Sequence, residues 1–195
     1  MRRSYARMKL RSILAASICF CLSCLSVRAE FRQVTPDVFL WTDTCNTYVV
    51  RDGDAALLID LGDGMALNHL AEIGVNEVEW LLLTGHHREL LQGIGRLNRD
   101  ITQVAAPKEE QALFETPNEF RKWHPRLGDK FSVHGSSYVR PPAAPVKVDR
   151  WLAADEVWEW RGRSIRCLGT PGHSPGGISF GIQRGDHSLF FSGGL

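Results

Sequence analysis

Residues 79–93 read EWLLLTGHHRELLQG: an apolar run that passes directly into two adjacent histidines, a glutamate and a closing glycine. The run Glu79 to Leu83 is short and unbroken in its apolar part, as expected of a strand buried on both faces. The loop at the C-terminal end of such a strand is held by a fixed backbone yet free to present side chains, and layered α/β folds collect functional groups there. Histidine together with carboxylate points to zinc or a related borderline metal, for which three protein ligands and a water make a catalytic site.

Outward from this loop the chain alternates strands and helices. Upstream, VFLW at 38–41, NTYVV at 46–50 and AALLID at 55–60 read as a meander, with the turn signal Arg51 to Asp54 between the last two. LGDG at 61–64 ends the third strand, and MALNHLAEIG at 65–74 predicts a helix stopped by Gly74. Downstream, Leu90, Leu91, Ile94 and Leu97 form a helical stripe, Ile101 to Ala106 a strand, and Lys108 to Phe114 a second helix. Residues 115–150 carry five prolines and predict a long surface excursion with one short helix around 117–124. From Trp151 the strand pattern returns in EVWEW, SIRCLGT, GISFGI and SLFFSG. The grammar is that of an α/β (α+β) domain.

The 195 residues, 44% hydrophobic and 23% charged, suffice for one domain with a core. A formal net charge of +1 offers no nucleic-acid footprint. That figure is uneven along the chain, because residues 1–29 hold six of the 23 basic residues and no acidic one. Without them, 17 Lys and Arg face 22 Asp and Glu, for a formal charge of −5. A basic start, the apolar run Ile13 to Leu25, then Val27, Arg28 and Ala29 have the parts of a secretory signal, with cleavage expected after Ala29. The expected domains are a signal peptide over 1–29 and one globular domain over 30–195, exported to the periplasm or the extracellular space. The apolar run is too short for a membrane span, and none is expected after cleavage. Cys19, Cys21 and Cys24 fall in this segment; Cys45 and Cys167 remain, with no framework spacing that would pair them.

A second loop with chemical content is GTPGHSPGGISF, 169–180, where prolines and glycines shape the backbone around His173. The ordered set NTYVV, ALLIDLGDG, TGHHRELLQG, GTPGHSPGGISF and LFFSGG resembles the metallo-β-lactamase fold superfamily, in particular its glyoxalase II-like and thioesterase-like members. The resemblance covers nearly all of the chain after residue 29, and TPGHSPGGISF is its most specific part. It implies a four-layer αββα sandwich and a one- or two-metal site built from THxHxDHxxG, the PGH histidine and a later aspartate in a GD pair. The reaction it implies is attack of metal-bound hydroxide on an ester, thioester, lactam or phosphoester.

Laid on that pattern, Thr84, His87, Gly93 and His173 match. Gly85 stands at the first histidine, Glu89 at the aspartate, Leu90 at the third histidine and Gly194 at the bridging aspartate. The expected metal residues are His87, His173 and Glu89, with His86 a further candidate; Glu89 is the candidate catalytic ligand or base. His86 and His87 are adjacent, and on extended backbone their side chains diverge unless the chain turns sharply at Gly85. Asp60, ending a strand before a glycine turn, and Thr84 are expected to support the loop. Zinc is expected in at most one copy, with catalysis weak, altered or absent. The alternative expectation is an active single-zinc hydrolase of an ester, thioester or lactone, using His87, His173 and Glu89 or His86. The ligand is a small molecule in either case. The family fold also needs strands and a ligand histidine beyond the GD position, so the chain reads as a fragment or as a sandwich with an incomplete second half.

Overall fold

The structure, a computed structural model, describes residues 30–121, 140–185 and 187–193. The expected signal at 1–29, residues 122–139 of the proline-rich excursion and Gly194 lie outside the described residues.

Two sheets stack face to face. The larger runs in chain order through β1 (Arg32–Thr35), β2 (Val38–Thr42), β3 (Asn46–Asp52), β4 (Ala55–Ile59), β5 (Glu77–Leu82), β6 (Gln103–Pro107) and β7 (Arg150–Leu152). β1 to β4 pair antiparallel through short turns, as the meander pattern predicts; β4 to β7 pair in parallel, each joined by a crossover. The smaller sheet holds β8 (Val157–Trp160), β9 (Arg163–Gly169), β10 (Ile178–Arg184) and β11 (His187–Phe191), all antiparallel.

β4 is buried along its whole length, because alternate residues serve two cores. Leu57 and Ile59 face the second sheet and pack with Leu82, Trp158, Ile165, Phe180 and Phe191. Ala56 and Leu58 face the crossover layer and pack with Leu70, Leu81, Leu91, Val104 and Phe114. The result is a crossover layer, a seven-stranded sheet and a four-stranded sheet: among the described residues, three of the four layers of the αββα sandwich that the resemblance implies, with the second half incomplete.

The crossovers differ from expectation in kind. Met65–Ile73 is a 3₁₀ helix rather than an α-helix, and its apolar positions explain why: Leu67, Leu70 and Ile73 are three apart, a spacing that puts all three on one face at three residues per turn. It ends at Gly74, whose φ of 76° closes the C-cap as predicted. The stripe Leu90 to Leu97 forms two separate 3₁₀ turns, Arg88–Leu90 and Ile94–Arg96. Gly93 interrupts it: its N–H donates to the Gly62 carbonyl at 2.8 Å, and a Cβ there would run into the Gly64 backbone. The third crossover begins as a 3₁₀ turn at Lys108–Glu110 and continues as the short α-helices Gln111–Glu115 and Pro117–Phe120.

Candidate functional site

One end of the sandwich is open. There the loops after β4, β5, β9 and β11 meet the β2–β3 hairpin around a cleft of about 270 Å³. Asp60, Thr84, His87, Glu89, Leu90 and His173 line it, joined by Cys45 and Ser174. The two sheets are stitched beside it by the Ile178 N–H, which donates to the Thr84 carbonyl at 3.0 Å.

Asp60 is buried at a φ of 55°, outside the conformations most side chains accept. Its carboxylate holds the next loop in place: Oδ1 accepts the Thr84 N–H at 2.9 Å and Oδ2 accepts the Thr84 hydroxyl at 2.8 Å. Asp60 thus connects the end of β4 to the loop after β5. Burial pushes the Asp60 carboxyl up to about 7, although both Thr84 hydrogen bonds work in the opposite direction. The folded state therefore binds this proton more tightly than the unfolded chain, and stability falls as pH rises from the ordinary carboxyl range to about 7. Urea unfolding across that window should show the wild type losing ground to Asp60→Asn, by up to roughly 1.4 kcal/mol per pH unit. Parallel curves for the two proteins would mean that Asp60 is ionised throughout.

His87 and His173 come together although 86 residues apart: His87 Nδ1 and His173 Nε2 are 2.8 Å apart and share a hydrogen bond. Burial, followed by the neighbouring His86 and His173, lowers the pKa of His87 to about 4, so its ring is neutral at ordinary pH. Glu89 Oε1 lies 3.6 Å from His87 Nδ1 and 3.7 Å from the Arg140 guanidinium. The His86 ring packs edge-on against that of His87, centroids 4.5 Å apart, with its Nδ1 engaged elsewhere. It is buried, and its Nδ1 lies 2.8 Å from Glu110 Oε2, which also accepts the His86 backbone N–H at 2.7 Å. The other oxygen of Glu110 accepts the Ser174 hydroxyl. Glu110 therefore ties the loop of His87 to the loop of His173. Burial alone would raise its carboxyl, but the hydrogen bonds from His86 and Ser174 and the adjacent imidazole together hold it below the usual range.

Sequence reading missed Glu110 as a site residue. A signal existed: Glu110 stands four residues before Phe114, which is buried in the core, so a helical turn directs both inward. Cys45 was also not placed at the site; burial, then Asp60 and Asp43, pushes its thiol up to about 12, and neither it nor Cys167 is bridged.

The family model of the metallo-beta-lactamase superfamily matches residues 40–193. The chain belongs to that superfamily. A hydroxyacylglutathione hydrolase of Acidiphilium cryptum (strain JF-5) is 23% identical over 133 residues, 68% of this chain and 42% of that protein. A metallo-beta-lactamase of Cronobacter sakazakii with a HARLDQ motif superposes with a TM-score of 0.63 at 22% identity, over 83% of this chain and 63% of that one. BJP-1, a subclass B3 metallo-beta-lactamase of Bradyrhizobium japonicum, gives 0.62 at 20% identity, over 90% and 66%. The chain thus spans less than half of the curated relative and under two thirds of the Cronobacter enzyme.

Zinc is compatible with this superfamily: a class B3 enzyme from an Alaskan soil metagenome, similar in fold with a TM-score of 0.60 at 16% identity, is described as di-zinc. The donors of the present chain can be compared with that requirement. Two imidazole nitrogens face each other, a carboxylate stands 3.6 Å from one of them, and Gly85 and Leu90 supply no lone pair. Among the described residues, no three His, Cys, Asp or Glu side chains converge on one point. A catalytic zinc takes three protein ligands besides its water. The described residues therefore do not fit that ion as the superfamily's usual motif would hold it.

Proposed function

We propose that this is an exported, small-molecule-binding member of the metallo-beta-lactamase superfamily in which metal-dependent hydrolysis is weak or lost. The observation that carries the reading is the paired hydrogen bond of His87 and His173, with glycine and leucine where further ligands would stand. A buried carboxylate, Glu110, joins the two histidine-bearing loops. Export rests on the charge and apolar pattern of residues 1–29, with Ala29 the last residue removed. No nucleic-acid partner is expected at this net charge. Among the described residues no helix is long and apolar enough to cross a membrane.

The test is zinc content and turnover measured on one preparation. Refolded protein dialysed against excess zinc should retain well under one ion per chain. It should show no hydrolysis of thioester, lactone or lactam substrates that a chelator removes. One observation favours a second reading: Glu89 lines the same cleft as the histidine pair and lies within 3.6 Å of one member. On that reading a single zinc is held by His87, His173 and either Glu89 or His86, and Glu89 serves as ligand or base. Stoichiometric zinc, lost in both His87→Ala and His173→Ala and accompanied by chelator-sensitive turnover, would establish the second reading and end the first. Expressed with its own N-terminus in a bacterial host, the mature protein should begin at Glu30.

A further inference from the structure

Beside the cleft, on the far side of Glu89, lies a groove of about 820 Å³. That is the size of a site for a small organic molecule. Arg88, Arg99, Arg140 and Lys147 line it against a single lining carboxylate, Glu89. The four cations are not equally engaged. Arg99 is spent on the Thr102 and Lys147 carbonyls and on Asp149, 2.6 Å away; Lys147 is 3.9 Å from the same carboxylate. Among the described residues, the ion pair of Arg140 is the long 3.7 Å contact with Glu89, and its side chain is 55% exposed. Arg88 is exposed and makes no ion pair among the described residues. The Arg88 N–H donates to the Arg140 carbonyl at 2.9 Å, which holds the two backbones side by side in the groove lining. Leu91, Ile94 and Val146 contribute apolar lining to the same groove.

We propose that this groove binds a small amphipathic carboxylate, its anionic head held by the guanidinium forks of Arg88 and Arg140 and its apolar body lying on Leu91, Ile94 and Val146. Two planar forks match a carboxylate, and the apolar lining excludes water from a short chain. Because Glu89 lines both spaces, the head of such a ligand lies next to the His87–His173 pair. The site goes beyond the function proposed above and does not depend on it, since no metal takes part. Titration calorimetry of the full chain in chelator, with sodium octanoate and its neutral counterpart octanamide, separates the two. Octanoate should bind saturably, octanamide about tenfold more weakly or worse. The double variant R88Q/R140Q should reduce octanoate to the level of the amide with its melting temperature unchanged, and added salt should weaken octanoate alone. Equal affinity for acid and amide, absence of saturable octanoate binding, or an unaltered octanoate affinity in R88Q/R140Q would each overturn the proposal.

Discussion

On the function proposed above, Gly85→His should bind one zinc ion per chain and the wild type well under one. Three observations support the substitution. The backbone at Gly85 lies outside the positive-φ region that would penalise a side chain. A Cβ there meets Glu110 Oε2 at 3.5 Å and Leu90 Cδ1 at 3.7 Å, ordinary contact distances. The two imidazole nitrogens that would share the ion already face each other at 2.8 Å. A third imidazole completes the set that a tetrahedral site needs besides water. The gain should exceed the roughly 10–100-fold that outer-shell partners contribute to metal affinity, since a direct ligand is being restored. Zinc at about 100 times its dissociation constant should then add roughly 2.7 kcal/mol of stability, removable by chelator. Gly85→Ala is the control, because it adds the Cβ without the lone pair and should leave zinc unbound. If Gly85→His folds and still takes up no zinc, the missing imidazole is not what limits metal binding, and the placement of the loop is.

Where a feature was set by local pattern, the chain could be read directly. The unbroken apolar run before Thr84 is β5, the Asp52 to Asp54 turn joins β3 to β4, and the proline and glycine loop around His173 follows β9. Each depends on neighbours in sequence. β1 and β7 were not predicted, and neither carries a local signal: RQVT is almost wholly exposed, and RWL is three residues whose strand character comes from pairing with β6. The 3₁₀ crossovers are similar cases, since Gly93 meets a loop near Gly64 that the sequence gives no way to place. At the site, His87 and His173 were legible because a family pattern spans the distance between them. Glu110 was legible at most as inward-facing, from its place four residues before Phe114; its partners His86 and Ser174, 24 and 64 residues away, carry no local signal.

Removing that carboxylate should be the most damaging single change at the site. Glu110→Ala leaves the His86 backbone N–H, the His86 ring and the Ser174 hydroxyl without their acceptor, in a place where all three residues are buried. Breaking a buried, hydrogen-bonded pair by deleting one partner costs about 3–5 kcal/mol. Ser174→Ala removes one donor and leaves the His86 bonds intact, so about 1 kcal/mol is expected there. The distinction between packing and charge lies in pH. Glu110 is held below the usual carboxyl range, so its stabilising contribution is complete above that range and is lost as pH falls through it. The wild type and Glu110→Ala should therefore differ most at neutral pH and converge in acid when followed by urea unfolding. Glu110→Gln tests what the ion itself supplies: an amide keeps one acceptor oxygen but puts an N–H₂ group where the second oxygen now accepts. It should recover part of the loss and none of its pH dependence. A gap between wild type and Glu110→Ala that stays constant from neutral to acid pH would show that the residue acts by filling space, and that the two histidine loops are joined by packing rather than by this carboxylate.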